Sequence, residues 1–507
     1  MNKPVYEKIA KSPRRGGPLS MLEAGTRPMA SRAPRDRNTL LASWTRLLCQ
    51  IAAGSLCAAW AGAIPFQAEA AEKPNIMVIM VDDIGVGDFG FSGGLEIPTP
   101  HIDRLAAEGM VFANAYAAPA CAPSRVALMT GSYPTRFGIE DNRPLDGPLG
   151  GLDVNLTTLA DYLRDAGYHT RLIGKWHLGQ GPHFEFAPRN RGFDEFFGFI
   201  GSGNHMTYFD PVLSRNGEVS THEGYIADLF TDEARDFLRQ PQERPFFLHL
   251  AYLDAHVPQA AKEEFLDRFS YLPPRRRMAA AIIANLDDQI GLLMETLKET
   301  GLHDRTLIFF LSDNGAQPFV LGTSNGPHRG TKFETLEGGI RIPFAVRWPG
   351  VIPAGGTYEP LVHVCDVFST TMVAAGLDVP EDVDGVDLIP FITGRKEGVP
   401  HERIFAIFND HDEWRIPGRD TNLARPLRAV REGDFKLLME GDNPPELYDL
   451  TQDPGEWRDL ADRYPERVEA LRQAYEDWYT GMIPQVVPDA HPVYGRFKFM
   501  EPRGRKR

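Results

Sequence analysis

Short continuous apolar runs recur along the chain, at 75–81, 170–173, 246–252, 307–311 and 344–348. They are rich in β-branched and aromatic residues and lack polar alternation, as expected of strands buried on both faces of a parallel sheet. Between them, 156–166, 226–239, 276–299 and 367–375 carry apolar residues at helical spacing. Strands alternating with helices predict an α/β fold, a mostly parallel or mixed sheet sandwiched by helices, with ligands at the carboxyl ends of the strands. Beyond about residue 395 the texture changes. Closely spaced strand candidates at 404–408, 427–431, 435–439 and 447–450 are punctuated by Gly433-Asp434 and Asp442-Asn443-Pro444-Pro445, and a helix pattern follows at 465–479. This predicts an antiparallel meander in a smaller C-terminal α+β domain. The expected organisation is a leader at 1–71, a catalytic domain at 74–395 and an antiparallel-sheet subdomain at 396–507.

The leader reads differently. Residues 1–46 are basic and rich in Pro, Ser and Arg, 47–66 are apolar, and Ala68-Glu69-Ala70 has the small-x-small form of a cleavage site. This predicts a signal peptide behind a long basic segment, hence a periplasmic or secreted protein with no stable membrane insertion after cleavage. An uncleaved anchor is the alternative, because the run is nearly long enough to span. Net charge is −15, and residues 1–71 hold ten Lys/Arg against four Asp/Glu, so the remainder carries −21. Such acidity argues against a nucleic-acid partner while leaving room for a local anion site. Of the four cysteines, Cys49 and Cys57 lie in the leader. Cys121 and Cys365 make no disulfide framework; one disulfide between them is the alternative to two separate cysteines, the reading favoured because Cys121 has a better use.

The strand ends carry the chemistry. The first strand runs into Asp82-Asp83, and the strand at 307–311 runs into Ser312-Asp313-Asn314-Gly315. Alone, the first pair suits a helix N-cap and the second a turn. Together, Asp82, Asp83, Asp313 and Asn314 are hard oxygen ligands suited to Ca²⁺ or, less well, Mg²⁺, and not to zinc. Other exits bring Lys175 and His177, then His256, and His328 with Lys332 follows Asp313. Cations gathered at that edge predict an anion site beside a metal. Cys121-Ala122-Pro123-Ser124-Arg125 opens a helix pattern ending at Thr130-Gly131, with proline in the first turn and Arg125 one turn from Cys121. The helix dipole favours negative charge at that cysteine.

Those residues, with Gly174-Lys175-Trp176-His177-Leu178-Gly179, resemble the two signatures of the type I sulfatases, formylglycine-dependent enzymes of the alkaline phosphatase superfamily. The resemblance continues through Arg191–Phe196, Ser312–Gly315, Glu337–Pro343, Asp384–Leu388 and Glu446–Leu450, covering roughly 74–460. It implies that a separate maturation enzyme reads Cys-x-Pro-x-Arg and oxidises Cys121 to formylglycine, whose hydrate is the nucleophile. It further implies Ca²⁺ held by Asp82, Asp83, Asp313 and Asn314, with the Cys121 hydrate completing the shell. By position, Arg125 stabilises the hydrate, and Lys175 and Lys332 bind sulfate. His177 is the base that breaks the covalent intermediate, His256 is the leaving-group acid, and Ser202 is a further substrate contact. The implied function is an exported sulfatase acting on sulfate monoesters, with sulfated saccharides as the default substrates and aryl sulfates as artificial ones. The alternatives are a phosphonate monoester hydrolase or phosphodiesterase on the same scaffold, and an inactive sulfated-glycan binder. Asn204, His205, Tyr208 and the stretch 409–419 are expected near the entrance.

Overall fold

The first strand, β1 (Asn75–Val81), is buried along its whole length. Its alternating side chains explain the layering around it. Ile76, Val78 and Met80 enter one core with the helices Cys121–Thr130, Leu159–Asp165 and Asp366–Ala374. Met77, Ile79 and Val81 enter a second core with the helices Ile226–Arg239 and Pro274–Glu299. A strand with a core on each face needs apolar residues at every position, which is why it reads as a continuous run. This computed structural model describes residues 73–142, 145, 150–179, 184–409, 426–483, 486–487 and 498–499. The expected leader and cleavage site fall outside the described residues. No helix among the described residues is long and apolar enough to cross a membrane.

The further strands are β2 (Met110–Phe112), β3 (Ala115–Tyr116), β4 (His169–Lys175), β5 (Glu195–Phe199), β6 (Val212–Arg215), β7 (Glu218–Thr221), β8 (Phe246–Ala251), β9 (Thr306–Ser312), β10 (Phe344–Arg347), β11 (Gly356–Tyr358) and β12 (Val362–His363). Ten form one sheet in the order β11-β2-β10-β9-β1-β8-β4-β5-β6-β7. The centre, β9-β1-β8-β4-β5, is parallel, and β1 pairs with β9 from Asn75↔Thr306 to Val81↔Ser312. The flanks are largely antiparallel: β10 against both β9 and β2, and the β5-β6-β7 ribbon. The sheet is therefore mixed. β10 appears in the sequence as another apolar run, but such a run does not encode strand direction.

The C-terminal strands β13 (Arg403–Asn409), β14 (Pro426–Glu432), β15 (Phe435–Glu440) and β16 (Glu446–Asp449) form the expected antiparallel meander. One face packs Val430, Leu437 and Leu447 on Leu471 and Tyr475 of the Pro465–Tyr479 helix. The other meets Tyr116, Ile340 and Leu361 through Ile404, Ala406 and Ala429. At that seam Lys436, fully buried, reaches Glu337 Oε1 and Glu456 Oε1, both at 2.9 Å. Burial opposes ionisation of Glu337, yet Lys436, Arg431 and Arg341 hold its carboxyl low.

Candidate active site

Because β1, β9 and β4 are parallel neighbours of a common centre, Asp82-Asp83, Asp313-Asn314 and Lys175 emerge at one edge of the sheet. All five side chains are buried. The Cys121–Thr130 helix brings Cys121 to the same edge and ends at Gly131 (φ 70°), whose left-handed conformation terminates it. One oxygen of each of Asp82, Asp83 and Asp313 and the Cys121 sulfur all lie within 4.8 Å of one another. The thiol donates to Asp82 Oδ1 at 3.4 Å and accepts from Lys332 Nζ at 2.9 Å. Lys332 also reaches Asp83 Oδ1 at 2.7 Å, and Lys175 Nζ donates to Asp82 Oδ2 at 2.5 Å. Arg125, buried one turn into the helix, donates to Asp313 Oδ2 at 2.8 Å and to the Lys175 carbonyl at 3.2 Å.

Three carboxylates thus face two lysines and an arginine in a buried site. Burial alone would raise the Asp82 carboxyl, but Lys175, His256 and Arg125 bring it down to about 2. Asp83 is likewise held low against its burial, by Lys332 and His256. The Cys121 thiol moves the other way. Burial and the charges of Asp313 and Asp82 push it well above its ordinary value, overriding the helix dipole that favoured a thiolate. An unmodified Cys121 is a neutral thiol and a poor nucleophile here.

The donor set fits a hard cation. Asn314 donates its Nδ2 to Asp83 Oδ1 at 2.7 Å, leaving its buried Oδ1 with no hydrogen-bond partner. An orphaned amide oxygen beside three carboxylates is what an oxygen-coordinated dication uses. Adding such an ion to a site already balanced three against three leaves a net positive pocket, suited to an anionic ester.

His256 follows β8, 5% exposed, with Nε2 3.9 Å from Asp83 Oδ2 and Nδ1 2.8 Å from the Val257 carbonyl. The carbonyl requires the proton on Nδ1, so Nε2 is the nitrogen turned toward the cluster. Burial, with Lys175 and Lys332, depresses the ring to about 4 against the pull of Asp82 and Asp83. His177 is buried but not in extended backbone. The chain turns there (φ 59°), so the face shared with Lys175 that an extended segment implies does not form. Ser202 lies half-buried in the loop after β5, its hydroxyl accepting from Asn204 N–H at 3.5 Å, and no described contact joins it to the cluster. Tyr208, expected at the entrance, is buried and donates to the Leu253 and His256 carbonyls at 3.3 and 2.9 Å, fixing the His256 loop. Of the stretch 409–419, only Asn409 lies within the described residues.

Sequence reasoning missed two residues. The Cys121 helix has Ala120 at its N-cap, with no side chain to cap it, and Asn142 Oδ1 supplies the bond instead, accepting Ala122 N–H at 3.0 Å. Asp254 is buried with both carboxylate oxygens unpartnered, and burial pushes it up to about 8. Its carbonyl accepts Asp82 N–H at 2.8 Å, while Ala255 N–H donates to the Asp82 carbonyl at 2.6 Å, locking the His256 loop to the exit of β1.

An α/β sheet whose carboxyl edge gathers a hard-oxygen cluster, two lysines and an arginine around a helix N-terminus defines a hydrolase of anionic esters. The family model described as Sulfatase matches residues 74–377, and the model N-sulphoglucosamine sulphohydrolase, C-terminal, matches 332–477. The chain is 37% identical to the N-acetylgalactosamine-6-sulfatase of Mus musculus over 466 residues, covering 82% of this chain and 88% of that protein. It is 32% identical to arylsulfatase A of Homo sapiens over 458 residues, covering 80% and 87%. The crystal structure of Ps i-CgsB in complex with k-i-k-neocarrahexaose superposes with a TM-score of 0.75 at 31% identity, covering 82% of this chain and 94% of that one. The chain belongs to the sulfatase family and is a sulfuric ester hydrolase.

Proposed function

We propose that this chain is an exported sulfatase that removes sulfate from sulfated saccharides, using Cys121 as formylglycine and a calcium ion. The observation that carries the reading is the buried cluster itself: Cys121, three carboxylates and an orphaned Asn314 oxygen opposite Lys175, Lys332 and Arg125. Asp82, Asp83, Asp313 and Asn314 would hold Ca²⁺, which supplies Lewis-acid polarisation of a sulfate oxygen. Cys121, oxidised and hydrated, supplies a hydroxyl nucleophile and, in its second hydroxyl, a means of releasing sulfate.

The remaining residues act directly. Lys175 and Lys332 take the non-bridging oxygens, where charge is held throughout the reaction. Arg125 braces Asp313 and the Cys121 position. His256 presents Nε2 to the leaving oxygen. The acid role needs the imidazolium, which the anionic substrate and the charge growing on the leaving oxygen both favour. His177 takes the proton from the second hydroxyl, and Ser202 contacts the sugar. Saccharide is favoured because the chain's relatives include an N-acetylgalactosamine-6-sulfatase and a structure holding a neocarrahexaose.

The test is mass spectrometry of the Cys121 peptide from a host that makes formylglycine, paired with rates on an aryl sulfate and an aryl phosphonate ester. Formylglycine and a faster sulfate reaction are expected. Unmodified cysteine, or a phosphonate reaction far faster, overturns the reading. Cys121→Ser should keep the fold and lose nearly all turnover, because a serine sulfate ester has no second hydroxyl to expel it.

A further inference from the structure

The sequence Pro273-Pro274-Arg275-Arg276-Arg277 places three arginines together in a chain of net charge −15. Two of them are paired. Arg276 lies 2.5 Å from both Asp88 and Glu96, and Arg277 lies 3.5 Å from Asp267. Arg275 is exposed, bonded to the Phe319 carbonyl, and has no carboxylate within ion-pair distance among the described residues. Large exposed apolar side chains lie on the segments it belongs to or meets. Phe319 is 63% exposed and Val320 45%, while Tyr271, four residues before Arg275, is 70% exposed. Leu95, beside the Glu96 that pairs with Arg276, is 99% exposed.

Exposed hydrophobic residues scattered singly need no explanation. Here the segments carrying Leu95, Arg275 and Phe319 are tied together, and Tyr271 lies four residues from Arg275 in the chain. Arg276 donates to the Gly322 carbonyl at 3.0 Å, Gly87 N–H to the Ser324 carbonyl at 2.9 Å, and Ser324 N–H to Asp88 Oδ2 at 2.8 Å. The patch is therefore the outer flank of the two loops that leave Asp82-Asp83 and Asp313-Asn314, and Phe319 lies between Asn314 and Lys332 in the chain. It shares the carboxyl edge of the sheet with the active site.

We infer that Tyr271, Phe319 and Arg275 form a secondary binding site for a sulfated polysaccharide chain, holding a part of the substrate away from the sulfate being cleaved. The inference rests on the reading above for its ligand class. The aromatic faces suit the apolar faces of pyranose rings, and the uncompensated guanidinium suits a sulfate group, which it grips through paired N–H donors. The site raises the local concentration of polymer without touching the reacting bond.

The test is affinity electrophoresis of the full chain carrying Cys121→Ala, in native gels containing ι-carrageenan, chondroitin sulfate or dextran sulfate. Dextran and polyglutamate gels serve as controls. Retardation by at least one sulfated polymer but by neither control is expected. The double variant Tyr271→Ala/Phe319→Ala and the single variant Arg275→Ala should each weaken binding ~2- to 10-fold. In the active enzyme the same changes should raise KM for the polymer and leave aryl sulfate turnover alone. The inference is overturned by absence of retardation in all three sulfated gels, by equal retardation with polyglutamate, or by variants that bind as the parent does. Binding to phosphatidylglycerol vesicles that these variants abolish would also overturn it, in favour of a membrane contact. Retardation of the Cys121→Ala chain, with no sulfate ester hydrolysed by the unmutated chain from a host that makes formylglycine, refutes the sulfatase reading and leaves this site standing; turnover by the unmutated chain without retardation does the reverse.

Discussion

Glu140 offers a sharp test of the electrostatics behind the active site. It is 1% exposed, accepts from Tyr479 O–H at 3.1 Å through Oε1, and accepts from Asn409 Nδ2 through Oε2. It thereby joins the segment that carries Asn142 to the C-terminal strand and helix. Burial and neighbouring Asp141 outweigh Tyr479, Arg428 and Asn409, pushing the carboxyl from 4.5 to about 7. At ~1.4 kcal/mol per pH unit, ionising it costs ~3 kcal/mol more in the fold than in the unfolded chain. The sign follows from the raised value. The penalty is absent below the unfolded value of 4.5, grows as pH rises, and is complete above about 7. Glu140→Gln removes the ionisation and keeps an amide that bonds both neighbours once Asn409 turns over. Urea unfolding of both proteins at about pH 5 and pH 8 is the assay. The native chain should lose ~2.5 kcal/mol relative to the variant across that interval. A difference that stays constant with pH to within ~0.5 kcal/mol refutes the reasoning, because burial would then not be what governs this carboxyl.

Other outcomes follow from the same geometry. Lys436→Met leaves Glu456 without its cation and Glu337 with only Arg341 and Arg431, and should destabilise by ~3–5 kcal/mol in chemical denaturation, with Glu456→Gln recovering part of the loss. Asn142→Ala uncaps the Cys121 helix, so stability should drop by ~1 kcal/mol and kcat should fall more than KM rises, while Asn142→Asp restores the stability. Calcium at ~100 times its Kd should stabilise the chain by ~2.7 kcal/mol relative to an EGTA-treated sample, an effect that Asp313→Asn should shrink.

The central strands were legible because burial on both faces leaves an unbroken apolar run, and β1, β8 and β9 each have one. The β6-β7 hairpin was passed over although its signal is present. Asn216-Gly217 sits between the strands with both residues at positive φ, 55° and 104°, the turn that an Asn-Gly pair makes. Its flanking residues are mostly exposed and gave no hydrophobic alternation to notice. At the site, the acids and lysines could be found because each follows a strand directly. Asn142 and Asp254 could not be, and Tyr208, expected at the entrance, instead holds the Leu253 and His256 carbonyls. They act through main-chain groups of other segments, and a polar residue in a loop carries no mark of the carbonyl or amide it meets. The helix mouth taken alone favours a thiolate, and the carboxylates of Asp313 and Asp82, expected at the same edge, push the Cys121 thiol up instead.

The strand order also sets a timetable. β1 is the earliest strand among the described residues yet occupies the middle of the sheet, between β8 and β9, which are made much later. Cys121 is sealed at 0% exposure by groups reaching as far along the chain as Lys332. On the formylglycine reading proposed above, an enzyme that binds Cys-x-Pro-x-Arg in extended form would have to do so before those later segments arrive. At ~5–20 residues per second, the roughly 200 residues between Arg125 and Lys332 take ~10–40 s to synthesise. If Cys121 matures to formylglycine as proposed, that interval is the time open to the maturation enzyme, and a change that speeds closure over Cys121 should lower the fraction of active molecules.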